Sequence, residues 1–113
     1  MKINNLMYNP GPAVYYDPLF RVVLESYMKF LRVDASTDLI TLEPQLTYKY
    51  ENDLFGLLAE LSVPHHYHWI VMRLNNFNSP LELTQDMTEL LIPSDGLINN
   101  IHKVYTTSTN ITT

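Results

Sequence analysis

An α+β domain is predicted by three features of the chain. Apolar residues recur at helical spacings of three and four, β-prone runs lie between those stretches, and Pro, Gly, Asn and Asp punctuate the joins. The 113 residues are 46% hydrophobic and 17% charged. A chain of this size forms one domain and can bury roughly two thirds of the surface it exposes when unfolded. The expected arrangement is a small strand-helix-helix-strand unit, preceded by an amphipathic helix and flanked by extended N- and C-terminal arms.

Taken in order, residues 1–16, "MKINNLMYNPGPAVYY", hold Pro and Gly close together and read as an N-terminal arm. The stretch lacks the apolar core and small-residue cleavage pattern of a signal peptide. Asp17-Pro18 starts a helix, because the Asp side chain can accept free backbone N–H groups and Pro suits the first helical position. Phe20, Val23, Leu24, Tyr27, Met28 and Leu31 then recur on one face, which predicts a helix over 17–32. The connecting segment runs to residue 45. It contains "VDASTD", a turn, and "LITLE", a β-prone run before Pro44.

"LTYKYE", residues 46–51, alternates Leu46, Tyr48 and Tyr50 with Thr47, Lys49 and Glu51, the period of a half-exposed strand. Asn52 or Asp53 caps a helix whose face is Leu54, Leu57, Leu58 and Leu61, with Phe55 on its flank. Gly56 inside it costs about 1 kcal/mol relative to Ala, so another backbone or ring is expected to approach closely there. "SVP" ends the helix, and Ser62 is expected to cap the next one. That second helix carries Tyr67, Ile70, Val71 and Leu74 as its stripe, widened by Trp69 and Met72. "NNFNSP" stops it, and "TELLIP" is a closing strand ended by Pro93. Residues 94–113 are polar, β-prone and poor in large apolar groups, and read as a C-terminal arm.

Charge and composition exclude several functions. The net charge is −5, with 7 Lys plus Arg and no basic run, so little is available to neutralise phosphates and nucleic acid is disfavoured as a partner. No run approaches the roughly 20 apolar residues of a membrane span. The absence of cysteine removes disulfides, thiolate zinc sites and a Cys nucleophile.

The histidines of "HHYH" are the sharpest candidate for chemistry. His65 and His68, three apart, share a helical face, whereas His66 points elsewhere and His102 is distant in sequence. Zinc commonly takes three or four protein ligands, and neither an HExxH pattern nor a spaced carboxylate set accompanies the pair. The polar opening turn of the second helix is therefore the expected role, with no metal and no cofactor. No serine lies in a nucleophile elbow, and Glu51/Asp53 and Glu82/Asp86 read as solvated caps and surface groups. The 3 glycines, at 11, 56 and 96, cannot make a phosphate-binding loop. No catalytic residue is assigned, and an enzyme is not expected. The helix-break-helix at 53–75 carries one Arg in its second helix, too little to anchor a DNA-reading motif.

Residues 50–93, "YENDLFGLLAELSVPHHYHWIVMRLNNFNSPLELTQDMTELLIP", resemble the LysM-like domain, in the version found in baseplate wedge and tail-hub proteins of tailed bacteriophages. The residues that carry the resemblance are Asp53-Leu54, Pro64, Tyr67 with Trp69, Ile70-Val71-Met72, Asn75-Asn76, Ser79-Pro80 and Leu90-Leu91-Ile92-Pro93. The usual Gly-Asp-Thr-like opening turn is replaced by "YENDL", and "HHYH" lengthens the break. The resemblance implies a LysM-like domain over 46–93 and a structural protein of the virion, assembled in the host cytoplasm. It would clamp wedge, hub or tube subunits present in multiple copies. Tyr15, Tyr16, Tyr67, Trp69, Phe77 and Tyr105 are the expected partner contacts, since aromatic groups anchor protein interfaces. A LysM module binding peptidoglycan or chitin is the alternative, disfavoured by the single copy and the altered opening turn.

Overall fold

The computed structural model describes residues 12–112 and shows a mixed α+β fold: six α-helices, three 3-10 turns and one two-stranded antiparallel sheet among those residues. Helices α1 (Pro18–Ser26) and α2 (Met28–Val33) follow a 3-10 turn at Ala13–Tyr16. Strand β1 is Asp38–Thr41. Helices α3 (Pro44–Lys49), α4 (Leu54–Glu60) and α5 (His68–Leu74) come next. Strand β2 (Glu89–Ile92) and helix α6 (Asp95–Thr112) complete the order.

The expected helix over 17–32 is present as the α1–α2 pair. Asp17 caps it by accepting from the backbone N–H of Leu19 at 3.0 Å, with Pro18 in the first turn. Phe20, Leu24, Met28 and Leu31 are buried along its inner face. The chain tightens at Tyr27, whose φ of −97° and ψ of 0° interrupt α-helical bonding without reversing the direction of coiling.

Helix α5 divides the interior. Tyr67, just before it, together with Ile70 and Leu74, packs into a first cluster with Tyr15, Phe20, Leu24, Met28, Leu31, Ile98 and Ile101. Val71 and Met72 enter a second cluster with Leu42, Leu54, Leu57, Leu58, Leu83 and Leu90. A helix that is apolar nearly all round must be covered on both sides. Trp69 touches both clusters from its half-buried position.

Helices α4 and α5 end in the same way. Val63 N–H bonds Leu58 C=O and Ser62 N–H bonds Ala59 C=O; Phe77 N–H bonds Met72 C=O and Asn76 N–H bonds Arg73 C=O. Both pairs are Schellman motifs, with Ser62 (φ 64°) and Asn76 (φ 67°) in the left-handed region. Ser62 is thus the terminator of α4, not the N-cap of the following helix. That helix opens instead through a 3-10 turn at His65–Tyr67, in keeping with the opening-turn role expected for the histidines.

Three expectations are corrected. Residues 46–51 do not form a strand: Pro44 opens helix α3, Thr47 is buried with its hydroxyl within 3.1 Å of both Pro44 O and Gln85 O, and Tyr48 faces solvent. The spacing of Leu46 and Thr47 with Tyr50, four and three apart, puts them on the inner side of one helical turn and overrides the alternation. The strand that pairs with β2 is β1, in the register Asp38↔Ile92 to Thr41↔Glu89. The segment after Pro93 is not an extended arm. Ser94 Oγ accepts from Leu97 N–H at 3.2 Å, opening α6, and Ile98 and Ile101 seal the first cluster. Burial of this stripe overcomes the weak intrinsic helix propensity of its Thr and Asn residues. Of the N-terminal arm, residues 1–11 lie outside the described residues. The part that follows folds as the 3-10 turn, with Tyr15 in the core.

Candidate functional site

The aromatic and histidine residues singled out in the sequence gather mostly at one end of the molecule, where the 13–16 turn, α1, the opening of α5 and α6 meet. Tyr15 lies at the centre. Its ring is 5.5 Å from Phe20, 4.7 Å from His66, 5.6 Å from Tyr67 and 5.7 Å from His102, centroid to centroid. Phe20 also meets Tyr105 at 5.1 Å, and the Tyr105 hydroxyl donates to Asp17 Oδ2 at 3.1 Å. That last bond ties α6 to the cap of α1. Tyr15 and Tyr67 are only 3% and 7% exposed, which makes their rings core material rather than surface anchors.

Burial sets the electrostatics of this seam. It raises the pKa of the Tyr15 phenol, and it raises that of Tyr67 further, with the Asp95 carboxylate as the next cause. His66 and His68 are pushed down, above all by desolvation. His68 Nε2 lies 3.0 Å from Val63 O and must carry the proton there. Its Nδ1 is then a buried acceptor without a hydrogen-bond partner among the described residues. The His65 ring sits 4.9 Å from that of His68. Even so, among the described residues no group of three or more His, Asp or Glu side chains is placed to hold a metal ion.

Two of the expected contact residues reach the surface beside this seam. Tyr16 is 38% exposed and Trp69 half-buried, and the Arg21 guanidinium lies between them, 5.7 Å from the Tyr16 ring and 4.9 Å from that of Trp69. Arg21 Nε also donates to Tyr15 O at 3.1 Å, which fixes the guanidinium in place. Phe77 sits apart. It follows the left-handed Asn76 and packs on the second cluster, the usual hydrophobic closure of a Schellman motif.

The second-helix Arg is committed to structure. Arg73 forms a two-pronged pair with Glu25, the shortest bond being 2.8 Å, and donates to Phe77 O and Asn78 Oδ1. Arg32 in turn donates to Arg73 O and Leu74 O, the last carbonyls of α5. Neither side chain is left to grip a phosphate backbone.

A surface feature absent from the expected contact set is more suggestive. Leu19, Val22, Phe30 and Val33 are all exposed on the outer side of α1–α2, with Val33 at 82%. Their spacing, with Ser26 between, follows one helical face, opposite the buried Phe20–Leu24–Met28–Leu31 stripe. The signal was present in the sequence as a second apolar row at helical spacing; the first row had already accounted for a buried face. No enclosed pocket forms among the described residues. No helix among them is long and apolar enough to cross a membrane.

Neither a protein-family model, nor a curated protein, nor a solved structure matches the chain.

Proposed function

We propose that this chain is a non-enzymatic structural subunit of a bacteriophage tail, of the baseplate wedge or tail-hub kind, which holds neighbouring tail proteins together. The observation that carries this reading is the apolar row Leu19, Val22, Phe30 and Val33 standing in solvent on a helix pair whose other face is fully used. Single exposed apolar residues are ordinary, but a row of them on one element marks a surface that another protein covers. A body of small helices without an enclosed pocket among its described residues suits that task better than turnover of a small substrate.

The finer part of the proposal is the LysM-like architecture. The resemblance over 50–93 includes α4, the Pro64 break, α5 with its Tyr67–Trp69 opening, and a closing strand that stops at Pro93. In a LysM-like reading the two strands bracket this helix pair, with α3 inserted after β1 as an additional turn of structure. The partners proposed are wedge, hub or tube subunits in multiple copies, and the location is the virion.

Mass spectrometry of purified tail particles, combined with complementation by a Val22→Glu/Phe30→Glu variant, tests the proposal. The native chain is expected in the particles. The variant is expected to fold, by circular dichroism, yet to be missing from them. Particles without the native chain, or normal incorporation of the variant, would overturn the reading.

A further inference from the structure

The sheet has two long edges, and the chain treats them differently. Leu42 N–H donates to Thr88 O at 2.8 Å, so 42–88 is a hydrogen-bonded pair. With the register Ile40↔Leu90 and Asp38↔Ile92, alternation makes these the other bonded pairs. The backbone groups of Leu39 and Thr41 on β1, and of Leu91 and Glu89 on β2, therefore point away from the ribbon.

On the β2 side a side chain closes that outward edge at Leu91, leaving the outward groups of Glu89 uncovered among the described residues. Asn75, the residue after α5, accepts from Leu91 N–H through Oδ1 at 2.8 Å and donates from Nδ2 to Leu91 O at 2.9 Å. The amide thus imitates one residue of a third strand. On the β1 side there is no counterpart: among the described residues nothing bonds the outward N–H and C=O groups of Leu39 and Thr41. Asp38, Leu39 and Thr41 are exposed, Leu39 at 58%. Open strand edges template pairing with another chain unless something blocks them.

The charge around this edge selects the occupant. Asp34, Asp38 and Glu43 lie along the β1 segment and Glu89 stands across from Thr41, while no Lys or Arg occurs between residues 33 and 48. Two copies of β1 brought edge to edge would set these carboxylates against each other, so a second copy of the chain is disfavoured. An extended segment bearing Lys or Arg meets favourable charge at both ends of the strand.

We infer that the outer edge of β1 is a strand-addition site for an extended, basic segment of another protein. Its Lys or Arg residues flank a short β-branched run that pairs with Leu39 and Thr41. Main-chain bonds supply affinity in this mode, and the alternate side chains supply choice; here one of them covers Leu39. The inference does not depend on the tail assembly proposed above, and it concerns a surface distinct from the α1–α2 row.

The test uses the full chain, isotope-labelled, and the blocked heptapeptide Lys-Thr-Val-Thr-Val-Thr-Lys. Binding is expected to shift the Leu39 and Thr41 amide resonances and slow their hydrogen exchange. A peptide with Glu in place of both Lys is expected to bind at least about tenfold more weakly, and raised salt to narrow the difference, as screened charge pairs require. Thr41→Pro removes one outward N–H but no ribbon bond, a position where an edge strand tolerates proline, so the fold is expected to persist while binding is lost. If that variant unfolds, methylation of alternate peptide nitrogens asks the same question from the other side, and should abolish binding. No peptide binding at millimolar concentration overturns the inference. So does binding indifferent to methylation, or a dimer of the peptide-free chain that protects the same two amides.

Discussion

The two apolar clusters are built on opposite plans. The second is made by one continuous stretch, from Leu42 to Leu90, and is lined chiefly by leucine. The first joins the two ends of the described chain, with Tyr15 to Leu31 on one side and Ile98 and Ile101 on the other, and it mixes tyrosine and histidine rings with aliphatic groups. Helix α5 contributes to both and is the wall between them. A core of leucines from neighbouring helices has no titratable group among its own buried members and is tolerant of local rearrangement. One made of titratable aromatics from distant segments has more ways to fail.

Deleting residues 94–113 attacks this contrast most severely. It removes Ile98 and Ile101 and uncovers Tyr67, each large buried group being worth about 2–5 kcal/mol, so a loss comparable to the whole stability of a small domain is expected. Circular dichroism should show the first cluster unfolded; a truncated chain with native near-ultraviolet signal would mean that the aromatic cluster holds without α6. Point changes sharpen the comparison. Phe20→Ala should cost about 4 kcal/mol and Leu57→Ala about 3 kcal/mol in urea unfolding. Both should melt in one transition, because α5 couples the clusters; two transitions in either variant would separate them.

Asn75→Ala comes next. It exposes no core but leaves the Leu91 N–H and C=O without their partner, an expected cost of about 1–3 kcal/mol, with faster exchange of the Leu91 amide as the specific mark.

Acid should act on a histidine beside each cluster without any mutation: His66 lies against Tyr15 of the first, and the His68 ring lies 5.4 Å from Phe55, which packs on the second. Burial lowers the pKa of His66 and His68 in the folded chain, so their neutral forms are favoured by folding. The associated stability is present above the ordinary histidine value of 6.5 and is lost as pH falls through the lowered folded values. Glu25 is lowered chiefly by its hydrogen bonds to Arg73, so a second loss begins below 4.5. Replacing His66 and His68 with Gln should flatten the first step in a melting-temperature profile and leave the second.

The smallest effect is expected at Gly56. Ala normally gains about 1 kcal/mol over Gly in a helix. Here a Cβ would collide with the Asp53 carboxylate, which caps Gly56 N–H at 3.0 Å, and would lie 3.0 Å from the Tyr50 ring. Gly56→Ala should therefore leave stability within about 0.5 kcal/mol, the propensity gain offsetting the weakened cap. A full gain would show that the cap re-forms.

The same contrast explains what was legible in the sequence. Helices 18–26, 54–60 and 68–74 carry their apolar groups at helical spacing beside strong start signals at Asp17 and Asp53, so local pattern and final structure agree. Residues 46–51 misled because alternation and helical spacing coexist in "LTYKY", and the deciding fact, burial of Thr47 against Gln85 O, is a contact across 38 positions. Residues 95–112 misled because Thr and Asn dilute a stripe that only Tyr15, Phe20 and Tyr67 make worth burying. The opening turn expected of the histidines is the 3-10 turn His65–Tyr67, with His68 buried at the start of the helix itself. Tyr15 and Tyr67, expected as contact residues, lie in the core, while the Leu19–Val33 row is hidden in the sequence because two apolar rows on one helix compete for a single inward face.

The hydrogen bond from Tyr105 to Asp17 spans 88 positions, and it gives synthesis a direction. As the chain leaves the ribosome, the leucine half has all its members once Leu90 emerges, whereas Phe20 and Leu24 must wait for Ile98 and Ile101. At about 5–20 residues per second that interval is on the order of a second, during which the inner side of the first helices is open to chaperones. The earliest-made helices are thus the last to be sealed.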